Sequence, residues 1–364
     1  MKVSEICKYA PKSNIKARDA CDGGKYVFFT SSADESKRYN AYQHEGEGII
    51  MGTGGNATLH YYDGKYAVST DCIVLLPNEQ IRCKYLYYFF LGNMRVLERG
   101  FKGAGLKHTN KGYIGDIDIG DIPSFERQEK IIGIFDTLQS IIDLRKSEIE
   151  RLDNLIKARF VEMFGSPVSN PMSWEKRTLK EVCIKLNDGS HFSPESFETG
   201  DYKYVTAKNI KFSGFDFSNI TYVPEAVHRP IFDRCNPEFE DVLYIKDGAT
   251  TGVAIVNTLD EEFTLLSSVA LLKQDRSIMN GYFLATLLNN KDMYLNIRNN
   301  MGGAAITRLT IAKLNAIEII VPPIELQNQF AAFVAEVDKS KVAVQKALDE
   351  AQLLFDSLMQ EYFG

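Results

Sequence analysis

The chain repeats itself at a spacing of 199 residues, from Pro123 to Pro322. Pro123-Ser124-Phe125-Glu126-Arg127-Gln128 opens a helical pattern that closes on Met163-Phe164-Gly165. Pro322-Pro323-Ile324-Glu325-Leu326-Gln327 opens a second that closes on Tyr362-Phe363-Gly364, in the same spacing and without insertion. A period this long excludes a solenoid of short repeats, so each copy is a whole domain followed by a long helix. The 364 residues leave room for two ordinary domains and their connections. The repeat therefore predicts a module over 1–121, a helix over 122–165, a second module over 166–321 and a second helix over 322–364.

Both modules carry strand-and-turn grammar. Gly48-Ile49-Ile50-Met51 and Asp71-Cys72-Ile73-Val74-Leu75-Leu76 lie between Gly, Asn and Asp clusters, as do Val242-Leu243-Tyr244-Ile245 and Ser267-Ser268-Val269-Ala270-Leu271-Leu272. An aromatic-rich helical stretch follows in each, around Tyr85–Phe90 and Tyr282–Leu288. A Gly-rich turn then leads to an alternating apolar strand, through Gly103-Ala104-Gly105 in one and Gly302-Gly303-Ala304 in the other. The entries also match, Val3-Ser4-Glu5-Ile6-Cys7 against Leu179-Lys180-Glu181-Val182-Cys183. The expected fold class is mixed α/β, with one architecture used twice and loops that differ.

The helices carry a heptad seam. Phe135, Ile142, Ile149, Ile156 and Met163 are seven apart, with Leu138, Arg145, Leu152 and Arg159 as the companion set. In the second helix Val334, Lys341, Leu348, Phe355 and Tyr362 take the first set, and Val337, Val344, Ala351 and Leu358 the second. Ser124 is placed to cap the first helix, and Gly165 followed by Pro167 stops it. About forty helical residues span roughly 60 Å. So wide an apolar stripe needs a partner, and two equivalent helices after two equivalent modules predict an antiparallel coiled coil with pseudo-two-fold symmetry. The alternative is that each helix packs on its own module as an ordinary amphipathic helix.

Charge is unevenly shared. Residues 1–121 carry 16 Lys and Arg against 14 Asp and Glu, while 322–364 carry 3 against 7 and the whole chain is at −6. That balance neither recommends nor excludes nucleic acid. There is no Gly-x-x-x-x-Gly-Lys-Ser/Thr loop and no Asn/Asp-Pro-Pro-Tyr run, which argues against a P-loop ATPase or an amino-methyltransferase. Gly52-Thr53-Gly54-Gly55-Asn56 lacks the lysine of a phosphate cradle and reads as a hairpin turn. Five histidines and six separated cysteines show no ligand spacing, so no metal is expected. No apolar run has the length of a membrane span or signal peptide, and a cytoplasmic location is expected.

The two Pro…Glu…Gln helix openings resemble the repeated regions of type I restriction–modification specificity (S) subunits, and the resemblance covers the whole chain. Asn187-Asp188-Gly189-Ser190-His191-Phe192-Ser193-Pro194 is similar to the Asp-Gly-x-His-x-x-Pro turn of that family's recognition domains. Asp241–Gly252 is similar to its strand–Gly-turn–strand signature. The first module departs from both patterns. The resemblance implies a non-catalytic subunit that reads a bipartite, asymmetric site on double-stranded DNA, one half per module, with the helices setting the spacer. It implies partner modification and restriction subunits that carry S-adenosylmethionine, ATP and Mg, with no cofactor on this chain. The competing reading is a non-DNA scaffold presenting two carbohydrate- or protein-binding modules on a coiled coil.

Base reading needs donors and acceptors on loops that reach a groove, with Lys, Arg and small hydroxyls on phosphates. In the first module the expected contacts are Lys25, Thr30, Ser31, Ser32, Lys37, Arg38, Thr53, Asn56, Lys107, His108 and Lys111. In the second they are Ser190, His191, Lys208, Asn209, Lys246, Thr250, Thr251, Arg298 and Arg308.

Overall fold

A computed structural model describes residues 1–299, 301 and 308–364. They form two compact units, Met1–Ser147 with Gln345–Gly364, and Glu148–Val344. The Gly302–Ala304 turn expected from the sequence lies outside the described residues.

The first unit is built on a six-stranded sheet. Its order is Cys7–Tyr9, Cys72–Pro77, His44–Gly52, Leu59–Val68, Tyr26–Phe29 and Arg38–Tyr39. Every neighbouring pair is antiparallel except Tyr26–Phe29 on Leu59–Val68, where Val27, Phe28 and Phe29 run parallel to Tyr66, Ala67 and Val68. The second unit follows the same path with one strand divided. Cys183–Asp188, Val269–Gln274, Val242–Ile245 and Ala254–Val256 form an antiparallel sheet. Thr264–Leu265, Tyr202–Val205 and Thr221–Val223 form another, in which Thr264–Leu265 and Tyr202–Val205 are again the parallel pair. What Leu59–Val68 does as one strand in the first unit is done by two in the second.

The entries are equally alike. Val3–Ile6 and Leu179–Val182 each make one helical turn that leads directly into a strand. The Lys2 and Thr178 amides donate to Glu5 and Glu181 at 2.7 Å, and the apolar pairs Val3/Ile6 and Leu179/Val182 are fully buried. The closing strand forms in the second unit, where Glu318–Ile320 pairs with Lys176–Thr178. In the first it does not. Lys111–Gly115 is a short helix, and the chain beyond it makes a single bridge, Lys2 to Asp118.

The repeated Gln has a structural cause. Gln128 is buried at the start of the first long helix (Phe125–Phe164). Its Oε1 accepts from the Arg82 amide at 2.7 Å and its Nε2 donates to Pro123 O at 2.9 Å. Gln327 does the same at the start of the second long helix (Ile324–Phe363). It accepts from the Asn280 amide at 2.9 Å and donates to Pro322 O at 2.7 Å and Ile278 O at 3.0 Å. Each amide ties the entry of a module helix, Cys83–Gly92 or Gly281–Asn289, to the opening of the long helix beside it.

Within each unit the two long helices pair antiparallel. In the first, the Phe135 ring lies 5.3 Å from Phe355 and 5.8 Å from Phe363, with Tyr88 at 5.0 Å on the module side. In the second, Phe160 meets Phe330 at 5.6 Å and stacks on Phe283 at 5.5 Å, and Lys341 reaches Asp153 at 2.6 Å. The two packing alternatives therefore coexist, since each seam faces a partner helix and a module together. Arg159 on the seam is not buried. Its guanidinium passes over the Phe333 ring at 5.9 Å and ends on Glu162. At Gly165 φ is +75°, the left-handed turn that ends the first helix, and a Cβ there would stand 2.7 Å from Pro171. Trp174 then anchors the following segment through its indole N–H on Phe164 O, 3.0 Å. Burial pushes the Cys7, Cys183 and Cys235 thiols up to about 12, as befits structural cysteines.

Candidate nucleic-acid interface

In the first unit a loop cluster forms where the Gly52–Asn56 turn meets two other segments. The Thr53 amide donates to Asp71 O at 2.8 Å and to Ser31 Oγ at 3.1 Å. Gly54 bridges His108, and the Gly55 amide donates to Lys107 O at 2.9 Å. Ser31, Thr53, Asn56, Lys107 and His108 are thus brought together, with Asn56, Lys107 and His108 exposed. Thr53 also lines a groove with Pro11, Lys12, Thr70, Asn110 and Lys111, which adds Lys12, a residue with no sequence signal beyond its charge. The Ser32–Arg38 loop is fastened through His60, whose ring nitrogens meet Glu35 Oε1 at 2.7 Å and Ser32 O at 3.0 Å. Lys37 and Arg38 turn inward on this loop, Lys37 onto Thr30 Oγ1 and Arg38 onto the Glu35 and Lys37 carbonyls. Lys25 stands apart, beside Tyr26 at the opposite end of the strand that leads to Thr30.

In the second unit the Asp188–His191 turn is the centre. The Asp188 carboxylate is buried, with Lys246 Nζ on Oδ2 at 3.2 Å and His191 Nε2 on Oδ1 at 3.2 Å. Gly189 is required by space, since a Cβ would fall 1.9 Å from the Leu265 carbonyl oxygen. Ser190 is pinned by its amide on Leu265 O and by its hydroxyl, which donates to Phe192 O at 2.6 Å. The tip carries His191 and Phe192 into solvent. Arg234, which no sequence motif marks, ends the Glu225–Arg234 helix here, with Nη2 donating to Gly189 O and Nη1 4.0 Å from Asp188 Oδ1. Beyond the strand Val242–Ile245, Arg308 pairs with Asp247 at 3.3 Å, and Arg298 donates to Thr251 O at 2.8 Å. Thr250 and Lys208 are exposed in this unit.

Five of the expected contacts are withdrawn from the surface, and each has a structural reason. Thr30 accepts from Lys37, and Ser190 shapes its own turn. The Asn209 amide spans Thr206 N at 3.0 Å and Asp216 O at 3.2 Å. Lys246 neutralises Asp188, and the Thr251 hydroxyl donates to Gly248 O at 2.6 Å. All five are at most 3% exposed, which removes them as direct DNA contacts in this conformation.

The family model of the type I restriction modification DNA specificity domain matches residues 1–154 and 171–351. The type I restriction enzyme MjaVIII specificity subunit of Methanocaldococcus jannaschii is 22% identical over 326 residues, 83% of this chain and 76% of that subunit. The EcoDI specificity subunit of Escherichia coli is 24% identical over 157 residues, 43% of this chain, so the match spans about a third (34%) of that relative's length. Among solved structures, the type I restriction-modification system S subunit from M. genitalium superposes with a TM-score of 0.67 at 16% identity, covering 100% of this chain and 95% of that one. A chain from work on complex assembly and conformational transition of the type I R-M system superposes at 0.52 and 17%, covering 100% and 96%. At these identities the likeness is one of fold.

Proposed function

Because the chain belongs to the type I restriction–modification DNA specificity family, we propose that it is the DNA-reading subunit of such a system. The observation that carries this is the family match over both halves, which no scaffold of carbohydrate- or protein-binding modules accounts for. The modules 1–121 and 166–321 each read one half of a bipartite target on double-stranded DNA. The helices 122–165 and 322–364 set the spacer and receive the modification and restriction subunits. S-adenosylmethionine, ATP and Mg act on those partners, and this chain supplies recognition in place of catalysis. Half-sites on one face of B-DNA lie about 34 Å apart, within the reach of helices of this length. Among the described residues no helix is long and apolar enough to cross a membrane, and we place the subunit in the cytoplasm with its DNA.

The reading surface of the first module is the cluster of Asn56, Lys107 and His108 with the Lys12/Lys111 groove. That of the second is the tip at His191, with Thr250, Lys208 and Arg308 as further exposed contacts. Strand order is shared between the modules while these loops differ, which supports a target with unlike halves. The test is expression with the genes of the partner subunits, followed by single-molecule sequencing of methylated host DNA. A two-part methylated motif with a fixed gap, lost when this chain is deleted, is the expected result. An unmethylated genome with intact partners, or a palindromic motif, overturns the reading or its asymmetry respectively.

A further inference from the structure

The buried Asp188 carboxylate has more partners than charge balance requires. Lys246 alone neutralises it, at 3.2 Å and as deeply buried as the acid. A second oxygen remains, and His191 Nε2 and Arg234 Nη1 both approach it, at 3.2 and 4.0 Å. These two side chains come from segments far apart in the chain, and both are largely open to solvent, 58% and 41% exposed. Arg234 is steadied from both sides. Its guanidinium donates to Gly189 O, and its own carbonyl accepts from Asn187 Nδ2 at 3.0 Å. Both groups lean on the Asp188–Gly189 turn, so little ordering is left to be done when a ligand arrives.

We infer that Arg234 and His191 form a base-reading pair of the second module, and that Asp188 is the positioning residue that holds both. This rests on the DNA-reading function proposed above. A guanidinium has five N–H donors, more than Gly189 O and one carboxylate oxygen can take, so an in-plane pair of donors stays available for a base edge. The His191 ring, whose Nε2 lies 3.2 Å from Asp188 Oδ1, has a second nitrogen, Nδ1, that can meet a base edge as well. A donor fork beside an imidazole, both against a carboxylate that Lys246 has already neutralised, is suited to the major-groove edge of a purine, where N7 accepts from the guanidinium. Lys246 keeps the site from presenting net negative charge to the phosphates. A planar fork held in place is the arrangement in which Arg and Lys are least interchangeable.

The experiment uses the full chain with its partner subunits and compares methylated motifs for wild type, Arg234→Ala, Arg234→Lys and His191→Ala. Expected is a motif unchanged in one half and in spacer, with one purine position of the other half relaxed. Methylation of sites altered at that position should rise on the order of tenfold to a hundredfold, the discrimination one bidentate contact provides. Arg234→Lys should relax it nearly as far as Arg234→Ala, and His191→Ala should relax the same or the adjacent base pair. An unchanged motif in both Arg234 variants overturns the inference. So does a uniform fall in methylation that Arg234→Lys restores, which would make Arg234 a phosphate anchor. If wild type itself yields no bipartite motif, the failure lies with the DNA-reading function. His191 is on an exposed turn, so its variant keeps the test valid should Arg234→Ala fold poorly.

Discussion

Gln128 and Gln327 show how a residue too polar for a core comes to be buried in one. Each amide satisfies a module-helix amide on one side and a proline carbonyl on the other. Replacing either by Leu keeps the volume and leaves these backbone groups unpaired, at about 1–3 kcal/mol for each buried group. Gln128→Leu and Gln327→Leu should each lower the melting temperature measurably, and a variant that melts like wild type would show that water replaces the amide. His228 makes a pH prediction. It is fully buried, stacked on Tyr202 at 3.7 Å, next to Phe232, with Thr264, Glu262 and Arg229 around it. Burial, the largest influence, lowers its pKa below the ordinary 6.5. The unfolded chain therefore takes up the proton first on acidification. Its contribution to stability is complete above pH 6.5 and is lost as pH falls through the lower folded value. Urea midpoints measured from pH 7.5 to 5 should fall more steeply for wild type than for His228→Phe.

At the scale of elements, the paired helices depend on their aromatic contacts far more than on their charged seam positions. Phe135 is fully buried among Tyr88, Phe355, Tyr362 and Phe363, and Phe135→Ala should cost about 3–5 kcal/mol. Arg159 runs its stem along Phe333 and ends in solvent on Glu162. Because its charge is not desolvated, Arg159→Leu should change stability by less than about 0.5 kcal/mol. Calorimetry on both variants separates the cases, and a clear rise in melting temperature for Arg159→Leu would mean that the seam does bury the guanidinium. Lys341 differs, because it crosses to Asp153 on the paired helix at 2.6 Å. The module elements follow from local pattern. Val242–Ile245 is apolar throughout and buried throughout, whereas His44–Gly52 begins exposed and ends buried, as its composition suggests.

Across the whole molecule, one topology serves twice and the differences collect in loops. Fusion of two strands into Leu59–Val68 in one unit, and their separation into Ala254–Val256 and Thr264–Leu265 in the other, leaves strand order untouched and changes the chain between them. Charge works at the same scale. A net −6 opposes binding to a polyanion, so the affinity of the free chain for DNA should be modest and should fall steeply with salt. Binding of the free chain that is insensitive between 50 and 200 mM salt, roughly the range over which phosphate contacts are screened away, would argue against a phosphate-led interface.

Local pattern determined a great deal here. The 199-residue repeat, the two helices with their stop at Gly165, the apolar strands and the matched entries at Val3 and Leu179 are all short-range signals, in which neighbouring residues specify their own backbone. The resemblance to the specificity family lies in the order of those signals. What a polar side chain does was decided by tertiary structure. Thr30, Ser190, Asn209, Lys246 and Thr251 look like loop contacts in the sequence and are buried braces in the fold. Arg234 carries no motif and still meets the Asp188 turn. The physical reason is that burial and pairing depend on which distant segments converge. Lys246 is hidden because Asp188 needs a counter-charge, and neither residue's neighbours along the chain record that the other will be there.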